Sequence, residues 1–267
     1  MNYEAKSTIN LVIFDLGGTI VDHGCMAPVR AFIKAFEQVG VVLDADQVRG
    51  PMGLGKVDHI RELLRLPSAS EQWRAKGGGA WSEDDVASVY ELFLPLQTEL
   101  AKHHTDIIPG LPECWRALQS AGVLIGTTTG YPRDVADPIL KTLAQAGFTP
   151  DAHVCNDEVP AGRPEPYMIE NLMDRLDVRS RTAVLKVGDT VPDMEAARNA
   201  RVWAVGITES GSEFGMTEED LEALAPTDRA AKHVAAEQKL RDAGAHKVVK
   251  SLSDIAPLVL SDVWSEE

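Results

Sequence analysis

The sequence predicts an α/β protein: a Rossmann-like parallel sheet core with helices on both faces, plus an inserted all-helical cap domain. Short apolar runs closed by glycine are typical of buried parallel strands, and helical patterns lie between them along the chain. In the segment 27–104, by contrast, apolar residues recur at helical spacing and no run predicts a strand. Together these observations favour a parallel sheet with a helical insertion after its first strand.

The predicted strands of the core are apolar runs, with a short additional strand near the end of the chain. They are Leu11–Phe14, Val123–Gly126, Ala183–Val187, Val202–Gly206 and Lys247–Val249, with a further strand of unassigned bounds before Gly162. The predicted helices are Pro112–Ala121, Arg133–Ala146, Pro164–Leu176 and Asp193–Ala200, followed by two in the segment 230–267. This alternation predicts a sheet that is covered by helices on both faces.

The predicted cap consists of helical segments. Its first helix places apolar residues such as Phe32 and Phe36 one turn apart, and further helices are predicted over Val57–Leu66 and Asp84–Lys102. The predicted domains are a core of residues 1–24 and 106–267 and a cap of residues 25–105.

Composition excludes several classes of protein. The chain has 267 residues, and a hydrophobic fraction of 44% is enough for a folded core and too high for intrinsic disorder. Its 26 Lys and Arg residues face 41 Asp and Glu, a net charge of −15, which disfavours nucleic acid and anionic membranes as partners. No apolar run approaches the ~20 residues of a membrane span, and the first residues lack a signal-peptide pattern. Cys25, Cys114 and Cys155 are an odd number without metal-ligand spacing, so a cytoplasmic protein is expected.

Polar residues follow the predicted strands at their carboxyl ends, where parallel sheets bind ligands. They are Asp15 and Gly17 after the first strand, Thr127–Gly130 after the second, Gly162–Pro164 after a further one, and Asp189, Thr190 and Asp193 after the next. Carboxylates, hydroxyls and one cation in a single crevice suit a Mg²⁺-assisted phosphoryl site, in which a carboxylate can attack phosphorus.

Each of these groups also has a purely structural explanation. An Asp after a strand is most often a turn former or a helix cap, and Thr127–Thr129 fit a strand because they are β-branched. Four such groups at successive strand ends are better explained by one functional site.

These segments resemble the four motifs of the haloacid dehalogenase superfamily. They are Phe14–Thr19, the threonine run, Gly162–Pro166 and Val187–Asp193, and the helical insertion resembles the cap domain of that superfamily. Within it the chain resembles the phosphonatases, over Val21–Pro28, Pro51–His59, Thr128–Tyr131, Val159–Pro164 and Asp242–His246. The resemblance covers nearly the whole chain. It implies Mg²⁺-dependent hydrolysis of the carbon–phosphorus bond of phosphonoacetaldehyde, a small phosphonate, by a homodimer formed through the cap.

One position separates phosphonatases from most phosphatases of the superfamily, which carry a general acid two residues after the nucleophile. Gly17 occupies that position and cannot protonate a leaving alcohol; phosphonatases usually have Ala there. Cleavage of a carbon–phosphorus bond needs an electron sink instead, and Lys56 matches the family's Schiff-base lysine. By residue type alone, a solvated cap lysine is the commoner explanation. His59, one turn on, moves protons during imine formation by resemblance, and is otherwise a packing histidine.

The resemblance implies roles for the remaining site residues. The metal site consists of Asp15, which is also the nucleophile, the carbonyl of Gly17, and Asp189, supported by Thr190 and Asp193. The substrate site consists of Thr129 and Arg163, which hold the phosphonate, and Cys25, Met52 and Tyr131, which line the aldehyde pocket. Plain packing explains Met52 almost as well.

Other functions stay open at this point. An ordinary phosphatase keeps Asp15 and Asp189 but leaves Lys56 unexplained, and a hydrolase of a related phosphono-aldehyde is an alternative because Leu16 and Gly17 replace the usual Trp and Ala. The segment 15–19 also resembles a sugar-kinase phosphate loop, but a helical pattern follows it where that fold needs a hairpin. A non-catalytic binding module is disfavoured because all the reactive side chains are present together.

Overall fold

A parallel β-sheet lies at the centre of the molecule in a computed structural model that describes residues 9–261 and 264. In the described residues the sheet has six strands in the order β3-β2-β1-β4-β5-β6, and every neighbouring pair is parallel. The strands are β1 Leu11–Phe14, β2 Leu124–Thr129, β3 Ala152–Cys155, β4 Val184–Gly188, β5 Trp203–Ile207 and β6 Lys247–Val249. Because β1 lies between β2 and β4, the polar residues that follow these three strands meet at one edge of the sheet.

The helices divide into an inserted group and a group that packs on the sheet. The helices between β1 and β2 are α1 Met26–Gln38, α2 Ala45–Arg49, α3 Lys56–Arg65, α4 Pro67–Trp73 and α5 Glu83–Ala101, followed by α6 Leu111–Ser120 before β2. The later helices are α7 Arg133–Gln145, α8 Tyr167–Arg175, α9 Val191–Ala200, α10 Glu218–Ala223, α11 Pro226–Asp242 and α12 Ile255–Val259.

Helices cover both faces of the sheet, as predicted. Along β1, Val12 and Phe14 belong to a hydrophobic cluster that includes side chains of α6, α7 and α12. Leu11 and Ile13 belong to a second cluster, with side chains of α8, α9 and α11. The alternation follows from the two-residue period of a strand, and burial on both faces explains why β1 is a continuous apolar run.

The inserted helices have a hydrophobic core of their own. Helices α1 and α5 pack together, and the rings of Phe32 and Phe93 stack with their centroids 4.1 Å apart. The predicted fold class, a Rossmann-like core with a helical cap, is therefore confirmed. The predicted domain boundaries stay predictions, and residues 1–8, 262–263 and 265–267 of the predicted core lie outside the described residues.

Short elements account for most differences from the predicted secondary structure. The sequence does not predict the bounds of β3, because this strand has four residues and its first two are only partly buried. Helices α2, α4 and α10 have five to seven residues, too few for a helical period to be recognised. The threonine run belongs to β2, so its structural explanation holds, although Thr129 also reaches the site described below.

Three predicted helix starts differ from the observed ones by two or more residues. The helix predicted from Pro164 begins at Tyr167, because the residues before it form a turn closed by a hydrogen bond from Glu165 N to Gly162 O. Helix α9 begins at Val191, two residues early, and α11 begins at Pro226. Proline suits a first helical turn, where its missing N–H costs nothing. In the described part of the chain no helix combines the length and apolar character that crossing a membrane requires.

Candidate active site

A pocket opens at the carboxyl edge of the sheet, between the core and the cap. Its wall is formed by Asp15, Gly17, Cys25, Pro28, Met52, Gly53, Lys56, Thr129, Gly130, Tyr131, Arg163 and Thr190. Most of the site residues expected from the sequence are among them. The other three, His59, Asp189 and Asp193, are fully buried behind this wall.

Asp15 and the loop after β1 approach Asp189 very closely. The backbone N–H of Asp15 donates to Val187 O on β4 at 3.0 Å, which fixes the start of the loop. At Gly18 the backbone has φ +84°, and a Cβ would lie 2.4 Å from Asp189 Oδ2. Only glycine combines that conformation with that contact.

Three buried carboxylates, those of Asp15, Asp189 and Asp193, bring oxygen atoms within 4.8 Å of one another. Asp189 accepts hydrogen bonds from Thr19 Oγ1 at 3.0 Å and from Ser212 N at 2.8 Å. Burial and the neighbouring Asp15 charge nevertheless raise the pKa of Asp189 well above its usual range, and burial also raises the pKa of Asp15. The ionised forms of Asp15 and Asp189 are therefore disfavoured unless a further positive charge is nearby.

This donor set fits a hard divalent cation. Asp15 Oδ1 lies 2.9 Å from Arg163 Nη2, but within the part of the chain that the structure describes it accepts no well-aligned hydrogen bond. Buried carboxylate oxygens with incomplete pairing are the ligands that Mg²⁺-type ions prefer, and such a cation would favour the ionised form of both Asp15 and Asp189. The predicted third ligand, the carbonyl oxygen of Gly17, accepts a hydrogen bond from Cys25 Sγ at 3.2 Å.

Asp193 differs from the other two carboxylates because three side chains already engage it. It forms ion pairs with Arg163 and, at 2.9 Å, with Lys186, and it accepts a hydrogen bond from Thr190 Oγ1 at 2.6 Å. Burial raises the pKa of Asp193, but the charges of Arg163 and Lys186 outweigh it and lower the pKa to about 2. This arrangement suits the supporting position expected for Asp193 and Thr190.

Lys186 is the member of this network that sequence reasoning missed. It lies in the middle of β4 and is fully buried, so its ammonium depends on Asp193 and on the carbonyl of Val187, 3.0 Å away. A lysine within an otherwise apolar strand was the available signal. Since lysine is almost never fully buried without a partner, its position indicates a buried carboxylate nearby.

Arg163 and Thr129 present hydrogen-bond donors to the same end of the pocket. The Arg163 guanidinium lies between Asp15 and Asp193 and is almost completely buried. Thr129 Oγ1 accepts a hydrogen bond from Tyr131 N at 3.2 Å, so its own O–H remains available to a ligand. A planar cation and a hydroxyl are suitable donors for an anionic oxygen group.

Lys56, at the start of α3, faces this anionic end from the cap. Its ammonium lies 5.0 Å from the ring centroid of Tyr131 and 5.6 Å from that of Phe32. Only 6% of the surface of Lys56 is exposed to solvent. Burial, aided by the charge of Arg163, lowers the pKa of Lys56 to about 8. A substantial fraction of this amine is therefore neutral and nucleophilic near neutral pH.

His59 lies behind Lys56 and packs against Phe32, with 4.0 Å between the ring centroids and 35° between the ring planes. Its Nε2 lies 2.8 Å from Val48 O, and because a carbonyl only accepts, this assigns the proton to Nε2. Among the described residues the buried Nδ1 has no hydrogen-bond partner. Burial, followed by the charge of Lys56, lowers the pKa of His59 well below its usual value, so the ring is a neutral base.

The three residues that the resemblance assigns to an aldehyde pocket are brought together in this wall. Cys25, Met52 and Tyr131 line the wall and are buried. A Cβ on Gly17 would lie 3.1 Å from Tyr131 Oη and 3.4 Å from Cys25 Sγ, so this glycine leaves space in the pocket. The side chain of Leu16, in contrast, packs in the core and does not line the wall.

Comparisons with known proteins agree with this geometry. Residues 9–201 match the model of the haloacid dehalogenase-like hydrolases. The phosphonoacetaldehyde hydrolase of Paraburkholderia phytofirmans is 43% identical, over 94% of this chain and 94% of that protein, and the one of Bacteroides fragilis is 39% identical, over 94% and 95%. A crystal structure of a phosphonoacetaldehyde hydrolase-like protein from Oleispira antarctica superposes with a TM-score of 0.94 at 34% identity, covering 97% of this chain and 94% of the other. The chain therefore belongs to the haloacid dehalogenase-like hydrolases and, within them, to the family of the phosphonoacetaldehyde hydrolases.

Proposed function

We propose that this hydrolase cleaves the carbon–phosphorus bond of phosphonoacetaldehyde with water, which gives acetaldehyde and phosphate. The observation that carries the proposal is a buried amine, Lys56, facing the same small pocket as the carboxylate of Asp15. An ordinary phosphatase needs neither this amine nor the acid-free position at Gly17. The names of the curated relatives support the same substrate.

The first step is imine formation at Lys56. The neutral amine attacks the aldehyde carbon, and loss of water gives an imine that is protonated on nitrogen. Among the described residues Nδ1 of His59 has no hydrogen-bond partner, and His59 follows Lys56 by three residues on α3, which places both on one face of the helix. We assign the proton transfers of this step to His59 Nδ1.

Phosphoryl transfer follows at Asp15. A carboxylate oxygen attacks phosphorus, the carbon–phosphorus bond breaks, and its electron pair moves to the imine, which becomes an enamine. Protonation of the enamine carbon and hydrolysis of the resulting imine release acetaldehyde and free Lys56. Water then hydrolyses the aspartyl-phosphate, which releases phosphate and restores Asp15.

The phosphonate is held by Arg163 and Thr129. Because Arg163 Nη2 lies 2.9 Å from Asp15 Oδ1, an oxyanion bound by this guanidinium is adjacent to the nucleophile. Mg²⁺, bound by Asp15 and Asp189 with the carbonyl of Gly17, would supply the positive charge that lets two anions meet. The Lys186–Asp193 ion pair holds the other side of the Arg163 guanidinium.

Related phosphono-aldehydes are alternative substrates, because this chain differs from the usual family sequence where the aldehyde is expected to bind. Cys25 and Tyr131 border the space next to Gly17. Because the family usually has Ala at this position, the missing Cβ changes the shape of the pocket itself. The departure at Leu16 is buried in the core. The expected homodimer and cytoplasmic location stay predictions.

The experiment that tests this function compares two activities in the variant Lys56→Arg. Phosphate release from phosphonoacetaldehyde should fall to background, because a guanidinium stays protonated and forms no imine. Slow hydrolysis of p-nitrophenyl phosphate should persist, because Asp15 and the metal ligands remain and this leaving group needs little acid assistance. The exposed Lys141 offers a matched control, and Lys141→Arg should keep both activities. Retention of phosphonoacetaldehyde cleavage in Lys56→Arg would move the phosphatase function ahead.

A further inference from the structure

Arg49, at the end of the short cap helix α2, reaches out of the cap to backbone carbonyls of the core. Its Nη1 donates to Gly24 O at 2.6 Å, and it lies 3.4 Å from both the carbonyl and the hydroxyl oxygen of Ser212. Its Nη2 donates to Gly215 O at 3.2 Å. Within the described residues this guanidinium forms no ion pair with a carboxylate. The charge of Arg49 is therefore engaged by backbone carbonyls of two different segments of the core.

The acceptors of Arg49 belong to two segments that carry the site. Gly24 lies in the connection from the loop after β1 to α1, and its own N–H donates to Ser210 O at 2.8 Å. Ser212 and Gly215 lie in the β5–α10 loop, residues 208–217. The N–H of Ser212 is one of the two donors that orient the carboxylate of Asp189, at 2.8 Å. Ser212 thus contacts both Arg49 and the carboxylate of Asp189.

The guanidinium of Arg49 packs tightly against the backbone of Gly215. A Cβ on Gly215 would lie 2.6 Å from Arg49 Nε, and the backbone there has φ +65°. Ser212, which Arg49 Nη1 approaches to 3.4 Å, is the residue whose N–H donates to Asp189. Arg49 is therefore linked to Asp189 through one intervening residue.

The preceding residue connects the same turn of α2 to the amine. Val48 O accepts the hydrogen bond from His59 Nε2 at 2.8 Å, and His59 lies one turn from Lys56 on α3. The end of α2 therefore contacts the helix of Lys56 through Val48 and, through Arg49, the β5–α10 loop, whose Ser212 N–H donates to Asp189. Movement of the cap away from the sheet would break the contacts of Arg49 with the core, while Val48, His59 and Lys56 would move together with the cap.

We propose that Arg49 is a positioning residue that couples the seating of the cap, and with it Lys56, to the orientation of Asp189 for metal binding. The proposal deepens the proposed function and rests on it for the roles of Lys56 and Asp189. If Arg49 has this role, the amine of Lys56 and the metal-binding carboxylates of Asp15 and Asp189 are correctly placed at the same time, when the cap is seated on the core. Lysine is not equivalent at this position, because one ammonium cannot span the carbonyls of Gly24 and Gly215 as a planar guanidinium does.

The sign of one measurement separates positioning from simple electrostatics. Removing a positive charge near a cation site strengthens Mg²⁺ binding by Coulomb's law, whereas removing the group that orients a ligand weakens it. The full-length variants Arg49→Met and Arg49→Lys are titrated with Mg²⁺ alone in a calorimeter. Arg65→Met, an exposed arginine of the cap, is the matched control.

We expect Arg49→Met to weaken Mg²⁺ binding about tenfold, comparable to losing one charge-assisted hydrogen bond, with Arg49→Lys in between and Arg65→Met within about twofold of wild type. In a second measurement, acetaldehyde and borohydride should label Lys56 several-fold more slowly in Arg49→Met. Unchanged or tighter Mg²⁺ binding in folded Arg49→Met would overturn the proposal, as would a change in only one of the two measurements. If Arg49→Met does not fold, wild-type Mg²⁺ affinity in Arg49→Lys overturns it, and a wild type without Mg²⁺ affinity also does so. Neither measurement requires the phosphonate, so failure of wild type to cleave phosphonoacetaldehyde would instead count against the proposed function.

Discussion

The amine of Lys56 should respond to pH in a way that no exposed lysine does. Its pKa is lowered to about 8 by burial, compared with an ordinary value of about 10.4. The neutral fraction of Lys56 is then about 9% at pH 7, about 50% at pH 8 and about 91% at pH 9. For an ordinary lysine the same fraction is about 0.04% at pH 7 and rises tenfold for each pH unit.

Two features of the pH profile follow from these fractions. At pH 7 Lys56 should form its imine about 200-fold faster than an ordinary amine of the same intrinsic reactivity. Between pH 7 and pH 9 its rate should rise only about tenfold and level off above pH 8, whereas the rate of an ordinary lysine rises about a hundredfold.

Reductive trapping measures this profile residue by residue. The protein is incubated with acetaldehyde, which has no phosphoryl group to lose, and the imine is reduced with borohydride before digestion and mass spectrometry. The peptide of the exposed Lys141 in the same digest is the internal control for the reagent. A rate at Lys56 that follows that of Lys141 without levelling would refute the lowered pKa, and with it the buried, nucleophilic amine.

Three further predictions concern the carboxylates and their partners. Asp15→Asn should abolish turnover, and in metal-free buffer at pH 7 its melting temperature should not fall below that of wild type, because the raised pKa of Asp15 means that its ionised form costs folding free energy; a residual rate near wild type would remove the nucleophile from Asp15. Exhaustive chelation with EDTA should stop phosphate release and added Mg²⁺ should restore it, whereas full activity of the chelated protein would contradict a metal at Asp15 and Asp189. Lys186→Met should lower the free energy of unfolding in urea by about 3 kcal/mol, because it removes one partner of a buried ion pair; a loss below about 1 kcal/mol would count against that pairing.

The parts of the fold that the sequence predicts are those that read as one local pattern. Strands such as β1 and β4 are buried on both faces and therefore appear as apolar runs. The polar residues after them are then placed by topology, because all parallel strands end at one edge of the sheet. Strand β3 has no such run, since Ala152 and His153 are only partly buried, and its bounds follow from pairing with β2, which is not a local property.

The site residues that sequence reasoning missed depend on contacts between distant segments. Lys186 interrupts an apolar strand, and the reason for its charge becomes visible only when α9 folds back and brings Asp193 within 2.9 Å. Arg49 contacts Ser212 and Gly215, more than 160 residues away in the chain. A sequence presents Arg49 only as one basic residue at the end of a short helix. The proton position on His59 likewise follows from its contact with Val48, which a motif does not specify.

The most direct test of the central claim, that Lys56 and Asp15 act together on a carbon–phosphorus bond, is the yield of both products from one sample. Phosphonoacetaldehyde is incubated with the wild-type protein and Mg²⁺, phosphate is measured by colour reaction, and acetaldehyde is measured by its enzymatic reduction. We expect equal amounts of phosphate and acetaldehyde from wild type, and neither product above background from Lys56→Arg. Release of phosphate from phosphate esters, with no acetaldehyde from phosphonoacetaldehyde, would contradict the account.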